Sequence, residues 1–281
     1  MKLLVLGAAG MLGQDVLRAA RYVNHAVAGL DIDEVDVTDA RAVLDTVAEH
    51  AAEVVINCAA YTNVDGAESD SELAMRVNGE AAGHVARAAA EHHARVVYVS
   101  TDYVFDGEKG EPYVESDAPN PLSAYGRSKL AGEQATVAGN PRHFVVRSAW
   151  LFGAHGPNFV GTMLGLADEL DEVVVVRDQV GCPTYAVHLA EALVRLAETS
   201  AYGVHHIAGS GHCSWYEFAQ EIFRQAGADC RVLSCTTDEL GQPAPRPAFA
   251  PLDTEFAGQA MRLPPWQEGL AAYLAERRVA T

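Results

Sequence analysis

Two groups of residues in this sequence have the types and the spacing to do chemistry on a carbonyl group. Thr101, Asp102 and Tyr103 directly follow an apolar run that is typical of a buried strand. Tyr125 and Lys129 form a Y-x-x-x-K pair, and residues four apart share one face of a helix. A lysine ammonium beside a phenol favours the phenolate, so we predict that Lys129 lowers the pKa of Tyr125 towards neutral pH.

We predict that Thr101, Tyr125 and Lys129 act together as catalytic residues. In open α/β sheets, ligands bind outside the carboxyl ends of the parallel strands, where Thr101 is expected. The Thr101 hydroxyl can then hydrogen-bond a substrate carbonyl oxygen, and Tyr125 can donate the proton. Lys129 can tune Tyr125 and hold a nicotinamide ribose. Such a trio stabilises the alkoxide that develops when a hydride reaches the carbonyl carbon.

A glycine motif after the first predicted strand indicates dinucleotide binding. Gly7, Gly10 and Gly13 form G-x-x-G-x-x-G between a strand and a helix. Glycines there permit a tight turn, close approach of the backbone to a pyrophosphate, and close packing of helix on strand. The helix N-terminus then meets the phosphate charge. We predict that Gly7 and Gly10, with Met11 and Leu12, bind the cofactor.

Residues after the second and third predicted strands complete the expected cofactor site. Asp31 stands where an acid accepts hydrogen bonds from an adenosine ribose and disfavours a 2′-phosphate, although an Asp there can equally cap the loop. Asp36 and Val37 can instead line the adenine, so the choice between NADH and NADPH stays open. The loop after the third strand adds small residues and a phenol at the same sheet edge, namely Ala59, Ala60 and Tyr61.

The elements that position these residues alternate between strand and helix. Strands are predicted at Leu3–Leu6, His25–Leu30, Glu53–Asn57, Arg95–Ser100, His143–Ser148 and Glu172–Val176. The helical patterns between them include Ser71–His93 and Ser123–Ala138. This alternation predicts an α/β fold with a Rossmann-type, doubly wound parallel sheet.

Longer loops and shorter helices after about Ser148 predict a smaller C-terminal substrate-binding lobe. One of those helices is expected to begin at Ser214, which has capping-box spacing with Glu217. We therefore predict a dinucleotide-binding domain over residues 1–148, with a contribution from about 172–200. Residues 149–281 would form mainly the substrate-binding lobe, interleaved with the first domain.

Composition narrows the classes of function. The net charge of −18 over 281 residues argues against a nucleic-acid partner, because phosphate binding needs a basic patch. No apolar run is long enough to suggest a membrane span, and a cytoplasmic location is expected. The five cysteines form no CxxC pair and are expected to be reduced. His205, His206, His212 and Cys213 match no familiar zinc spacing, so no metal is predicted.

These motifs together resemble the extended short-chain dehydrogenase/reductase family and, within it, the dTDP-4-dehydrorhamnose reductase family. The glycine turn, the strand-end Thr and Y-x-x-x-K carry the broader resemblance. The narrower one rests on blocks that run through nearly the whole chain: "NCAAYTNVDGAE", "STDYVFDG", "PLSAYGRSK", "RSAWLFG", "NF" at Asn158, "DQVGCPT" and "RP" at Arg246.

The resemblance implies reduction of the C4 ketone of dTDP-4-dehydro-L-rhamnose to dTDP-L-rhamnose by NADPH or NADH. It implies that Thr101, Asp102, Tyr103 and Trp150 line the sugar pocket, and it makes Asn158 and Arg246 candidates for contacts to the nucleotide or the sugar. An arginine suits a diphosphate because its planar fork binds oxyanions in pairs.

Some relatives hold Mg²⁺ at a dimer contact with acidic residues, whereas this chain has Gln14 and Asp15 in the corresponding helix. The sequence therefore gives no support for that metal. A homodimer stays open.

Other functions on the same fold stay open. A reductase or epimerase of another nucleotide-linked keto sugar would keep the same catalytic trio. A non-catalytic, NADP-binding regulatory subunit would not be expected to need the Tyr125–Lys129 pair. A sugar-nucleotide dehydratase is disfavoured, because Tyr103 stands where such enzymes place a second acid.

Overall fold

A central parallel sheet forms from the apolar runs of the sequence. The computed structural model describes residues 1–255 and 261–280. Its strands are β1 Lys2–Leu6, β2 Ala26–Leu30, β3 Val54–Asn57, β4 Arg95–Thr101, β5 His143–Ser148, β6 Leu151–Phe152, β7 Glu172–Val176, β8 Val180–Gly181, β9 Thr184–Tyr185, β10 Gly203–His206, β11 Cys213–Ser214 and β12 Arg231–Cys235.

Helices connect these strands. They are α1 Met11–Tyr22, α2 Ala40–His50, α3 Val64–Ser69, α4 Ser71–Ala74, α5 Ala81–Glu91, α6 Ala124–Gly139, α7 Phe159–Ala167, α8 Ala186–Ala197, α9 Trp215–Ala226, α10 Thr237–Leu240 and α11 Trp266–Ala280. A π-helical segment, Met75–Glu80, joins α4 to α5, and a 3₁₀ turn, Asp102–Val104, follows β4. No helix in the described ranges combines the length and apolarity that a membrane crossing requires.

Within the described residues, the main sheet has six strands, in the order β10-β5-β4-β3-β1-β2, and every pair is parallel. The chain passes from β1 to β2 on one side and then to β3 on the other. The order therefore reverses beside β1, and such a switch point leaves a crevice at the carboxyl ends of the strands. The predicted fold class is confirmed.

Alternate residues of the strands enter two cores, one on each face of the sheet. Leu3 and Val5 of β1 pack with residues of α1 and α8, whereas Leu4 and Leu6 pack with residues of α2 and α5. A third core, which includes Phe152 and Phe218, lies among α7, α9, α11 and β7. Because α8 and β10 come from the second half of the chain, that half contributes to the first sheet and its covering layer.

The run Glu172–Val176 is a strand, as predicted, but it does not join the main sheet. It forms β7 and pairs in parallel with β12 in a separate two-stranded sheet. Val173 and Val175 are buried while Val174 is 59% exposed, so only one face of this strand is covered. The last strand of the main sheet is instead β10, with the sequence GVHH, which lacks an apolar run and was not predicted. The predicted boundary near residue 148 stays a prediction.

Candidate active site and dinucleotide cleft

The end of β4 presents a hydroxyl and a carboxyl group held against each other. Thr101 is the last residue of β4, and its Oγ1 accepts a hydrogen bond from the Tyr103 backbone N–H at 3.2 Å. The same hydroxyl donates to Oδ1 of Asp102 at 3.0 Å. Both side chains are buried. The 3₁₀ turn therefore fixes the Thr101 hydroxyl at the carboxyl edge of the sheet.

The start of α6 brings Tyr125 to this strand end. Ser123 caps the helix by accepting a hydrogen bond from Gly126 N–H at 3.0 Å. A Cβ at Gly126 would lie 2.2 Å from the Tyr103 carbonyl oxygen, so only glycine allows the helix to approach the turn this closely. The Tyr125 phenol then lies beside the Thr101 side chain and makes an edge contact with the Tyr103 ring, with 5.6 Å between the ring centroids. The structure thus brings Thr101 and Tyr125 together.

Lys129 lies one turn further along α6 and is almost fully buried. Its Nζ donates to the Val99 carbonyl oxygen at 2.6 Å and sits 4.2 Å from the centroid of the Tyr98 ring. Burial lowers the pKa of Lys129 to about 7, and the negative charge of Glu133 opposes that shift. Lys129 is therefore on the predicted face of α6, next to β4.

The electrostatics of the site keep the Tyr125 phenol protonated. Burial raises the pKa of Tyr125 well above its usual value, the negative charge of Asp102 adds to that rise, and the neighbouring Thr101 hydroxyl opposes it. Burial also raises the pKa of Asp102 to about 7. The prediction that Lys129 lowers the Tyr125 pKa is wrong here, because burial raises this pKa and the Lys129 amino group is bound to the Val99 carbonyl instead.

A cleft of about 460 Å³ lies at the switch point of the sheet, beside the glycine turn. Gly7 has a positive φ of 74°, and a Cβ on it would lie 2.6 Å from the Ala59 backbone nitrogen. A Cβ on Gly13 would lie 2.2 Å from the Gly7 carbonyl oxygen. The turn can therefore close only with glycines. This leaves a backbone-lined cradle at the start of α1, which fits a dinucleotide pyrophosphate.

Seven of the predicted cofactor residues line this cleft: Gly7, Gly10, Asp31, Asp36, Val37, Ala59 and Ala60. The other five do not. Leu12 is buried in the core, and Met11 lies near Gly153 and Gly156. Tyr61 packs beside Tyr125. Lys129 lies within interaction range of Cys58, which does line the cleft, so the dinucleotide cleft adjoins the Thr101–Tyr125 centre.

Asn78 supports both parts of the site and was not predicted. It is fully buried in the π-helical segment, accepts a hydrogen bond from Tyr61 N–H at 2.8 Å and donates to the Tyr61 carbonyl oxygen at 3.0 Å. It also donates to the Ser128 hydroxyl on α6 at 2.9 Å. Asn78 therefore ties the loop after β3 to the catalytic helix. An amide on the apolar face of the predicted helix Ser71–His93 was the only signal for it.

The three predicted substrate residues from the C-terminal half have different surroundings. Trp150 stacks on Trp215 with 3.5 Å between ring centroids. Asn158 caps α7 and uses its amide on backbone groups, because it donates to the Gly153 and Gly156 carbonyl oxygens and accepts from Gly161 N–H.

Arg246 makes two hydrogen bonds, of 3.0 and 2.9 Å, to the Asp65 carboxylate. Its charge also acts on the Tyr103 phenol, so it lies beside the strand end.

No group of three or more His, Cys, Asp or Glu side chains suited to a metal ion occurs within residues 1–255 and 261–280. In α1, Gln14 donates to the Ala9 carbonyl oxygen and Asp15 forms an ion pair with Arg18 at 2.9 Å.

The family model of the RmlD substrate binding domain matches residues 1–279. The chain belongs to this family. A relative from Streptomyces griseus, a dTDP-4-dehydrorhamnose reductase, is 44% identical over 257 residues, which cover 89% of this chain and 84% of the relative.

Solved structures of similar proteins agree with this assignment. A dTDP-4-dehydrorhamnose reductase from Clostridium acetobutylicum is 42% identical, with a TM-score of 0.96 over 99% of this chain and 100% of that one. A dTDP-4-dehydrorhamnose reductase from Bacillus anthracis, solved in complex with NADP, is 38% identical, with a TM-score of 0.95 over 98% and 99% of the two chains. The resemblance to the dTDP-4-dehydrorhamnose reductase family, stated from the motifs, is confirmed.

Proposed function

We propose that this protein is an NAD(P)H-dependent oxidoreductase that reduces the C4 ketone of dTDP-4-dehydro-L-rhamnose to dTDP-L-rhamnose. The convergence of the Thr101 hydroxyl and the Tyr125 phenol beside the dinucleotide cleft carries this proposal. The names of the relatives from S. griseus, C. acetobutylicum and B. anthracis support the choice of sugar nucleotide.

Tyr125 is the proposed proton donor. When bound, the reduced dinucleotide supplies the hydride that the C4 carbon receives. The carbonyl oxygen must gain a proton in the same conversion, and a phenol kept protonated by burial can give one. The Thr101 hydroxyl, held beside Tyr125, would turn its hydrogen from Asp102 Oδ1 to the substrate oxygen and supply a second hydrogen bond as negative charge develops there. Lys129 lies one turn further along α6, and we assign it to the nicotinamide ribose.

Residues around the glycine turn would hold the dinucleotide. Gly7 and Gly10 line the cleft without side chains that would block a pyrophosphate, and Asp31 lies at the end of β2, where a ribose is bound in this fold. Ala59 and Ala60 let the loop after β3 approach the same ligand. The further cofactor assignments, Met11, Leu12, Tyr61, Asp36 and Val37, remain part of the proposal.

The sugar nucleotide would bind on the opposite side of the Tyr125 phenol. Asp102 and Tyr103 belong to the strand end itself, and Trp150 offers an apolar ring face to a deoxysugar. Arg246 contacts Tyr103 while it is bound to Asp65, which places a guanidinium beside the proposed pocket. Asn158 holds the turn before α7, and we assign it to positioning that turn around the substrate.

A coupled assay tests this proposal. The purified protein is mixed with dTDP-4-dehydro sugar made in situ, NADH or NADPH oxidation is followed at 340 nm, and the sugar product is identified. We expect oxidation that depends on the sugar nucleotide, and a loss of about 10²-fold or more in kcat for Tyr125→Phe. Tyr22→Phe is the matched control, because Tyr22 is 87% exposed and should leave kcat unchanged.

The other outcomes point to the alternatives. A protein that retains NAD through purification and converts the sugar without net oxidation of added NADH or NADPH would be an epimerase. Absence of any conversion of nucleotide-linked keto sugars, with the dinucleotide still bound, would contradict the proposal and favour a regulatory role. Unchanged turnover in Tyr125→Phe would remove this phenol from the reaction.

A cytoplasmic location is also part of the proposal. All five cysteines are free thiols, which fits a reducing compartment. Cell fractionation would test this point, and an exclusively extracytoplasmic protein would contradict it.

A further inference from the structure

The dinucleotide cleft carries negative charge on the side where the adenosine half of the cofactor belongs. Thirteen residues line it: Gly7, Ala9, Gly10, Asp31, Ile32, Val35, Asp36, Val37, Thr38, Cys58, Ala59, Ala60 and Val77. Two of these are carboxylic acids, and none that the structure describes there is a Lys, Arg or His. The residues outside the described ranges, 256–260 and 281, also include no basic side chain.

Asp31 is held in the cleft by backbone hydrogen bonds. Its Oδ2 accepts from Ala9 N–H at 2.7 Å, and its Oδ1 accepts from Ile32 N–H at 2.9 Å. Its own N–H donates to Glu34 Oε2 at 2.9 Å, which adds a third carboxylate next to the loop. The Asp31 carboxylate is therefore fixed between the glycine turn and the end of β2, and a rotamer change would break two hydrogen bonds.

Neither Arg76 nor Arg18 lines the cleft. Arg76 lowers the pKa of Asp36, but less than the two hydrogen bonds from Thr38 do, and its side chain is exposed. Arg18 binds Asp15 and Glu276. A phosphate on the adenosine ribose would therefore meet Asp31 and Asp36 with no cation among the described residues that line the cleft, whereas a ribose hydroxyl can donate to either carboxylate.

We infer that this chain prefers NADH to NADPH, and that the Asp31 carboxylate sets the preference. The inference rests on the proposed dinucleotide site but not on the identity of the sugar. Like charges a few ångströms apart near a protein surface repel enough that we expect NADH to bind at least about tenfold more tightly. The B. anthracis relative was solved in complex with NADP, so the two dinucleotides have to be compared directly.

Fluorescence titration of the purified protein with NADH and with NADPH, at low ionic strength, tests this inference without the sugar substrate. We expect a lower Kd for NADH. In Asp31→Asn, the amide oxygen can still accept from Ala9 N–H while the charge is lost, so the ratio of the two Kd values should fall several-fold. Asp33→Asn is the matched control, because it removes the same charge from an exposed position that does not line the cleft.

A second variant covers the case in which Asp31→Asn does not fold. Ile32→Arg adds a cation at a 72% exposed position on the cleft rim and should lower the Kd for NADPH several-fold. Equal or tighter binding of NADPH by the unaltered protein would overturn the inference. So would an unchanged Kd ratio in a folded Asp31→Asn, or an unchanged Kd for NADPH in Ile32→Arg. If NADH binds but no keto sugar is reduced, the proposed function fails while this inference stands.

Discussion

Replacing Gly132 with alanine tests how closely the catalytic helix is packed on the elements beneath it. Gly132 lies in α6, between Lys129 and Thr136, where the helix crosses β4 and the π-helical segment. A Cβ at this position would lie 2.1 Å from the Asn78 carbonyl oxygen and 2.3 Å from the Tyr98 phenol oxygen. Ordinary contacts between heavy atoms begin at about 3.5 Å, so α6 and these groups would have to separate by about 1 Å.

The expected cost follows from these contacts. Inserting a methyl group into a well-packed site costs about 1–3 kcal/mol in free energy of unfolding. The Tyr98 hydroxyl donates to the Asn78 carbonyl oxygen at 2.8 Å, both residues are fully buried, and losing this hydrogen bond adds about 1–3 kcal/mol. We therefore expect Gly132→Ala to destabilise the protein by about 2–6 kcal/mol. Because α6 carries Tyr125, the same displacement should lower kcat by about 10²-fold.

Urea denaturation and steady-state kinetics measure the two effects. Gly165→Ala is the control, because Gly165 is an exposed residue of α7 and an added Cβ would have no atom within 4 Å. That change should stabilise the protein by about 0.5–1 kcal/mol, since alanine loses less backbone entropy than glycine in a helix. A Gly132→Ala protein with the urea midpoint and kcat of the unaltered chain would refute the close contact between α6 and the Asn78 carbonyl.

Three other changes test separate parts of the site. Gly10→Val should abolish NADH binding in a fluorescence titration. The φ of −70° at Gly10 is one that valine also adopts, so the branched side chain would fill the pyrophosphate cradle without straining the backbone. A normal Kd for NADH would contradict the assignment of this turn as the pyrophosphate site. Asp102 has a folded pKa of about 7, above its unfolded value, so the folded state keeps a proton that the unfolded state loses above about pH 4. The stability from that proton is complete below pH 4 and is lost as the pH rises through 7. In urea melts, the unfolding free energy of Asp102→Asn should therefore fall less over that pH range than that of the unaltered chain. The same slope of unfolding free energy against pH in both proteins would refute the raised pKa. Asp65→Asn weakens the paired hydrogen bonds to Arg246. It should raise the KM for the sugar nucleotide several-fold with little change in the Kd for NADH. An equal rise in this KM and this Kd would mean that the Asp65–Arg246 pair only supports the fold.

The sequence predicted the sheet because its buried strands are continuous apolar runs and because glycines mark the first turn. The strand-end Thr101 and the helix face of Tyr125 and Lys129 followed from local periodicity, which the tertiary structure leaves in place. β10 was missed because GVHH carries no apolar run, although Gly203 and His206 still pair with β5. The residues of β10 alone do not indicate a strand, because this strand forms only through its pairing with β5 in the folded protein.

The direction of pKa shifts and the contacts between distant residues could not be predicted from the sequence. The direction of the Tyr125 pKa depends on how deeply the phenol is buried and on the Asp102 charge, neither of which the Y-x-x-x-K spacing contains. The Arg246–Asp65 pair joins residues that are 181 positions apart. The helix predicted over Ser71–His93 is divided into α4, a π-helical segment and α5. This division depends on contacts from Tyr98 and α6 to Asn78.

The interleaving of the chain has a consequence for its synthesis on the ribosome. Leu189 and Leu193 of α8 are fully buried against the layer that also contains Val16 of α1. A nascent polypeptide that ends before α8 leaves that hydrophobic layer open to water, and one that ends before β10 leaves β5 as an unpaired edge. The nucleotide-binding half is therefore completed only after about three quarters of the polypeptide has left the ribosome, and until then its exposed surface is a target for chaperones.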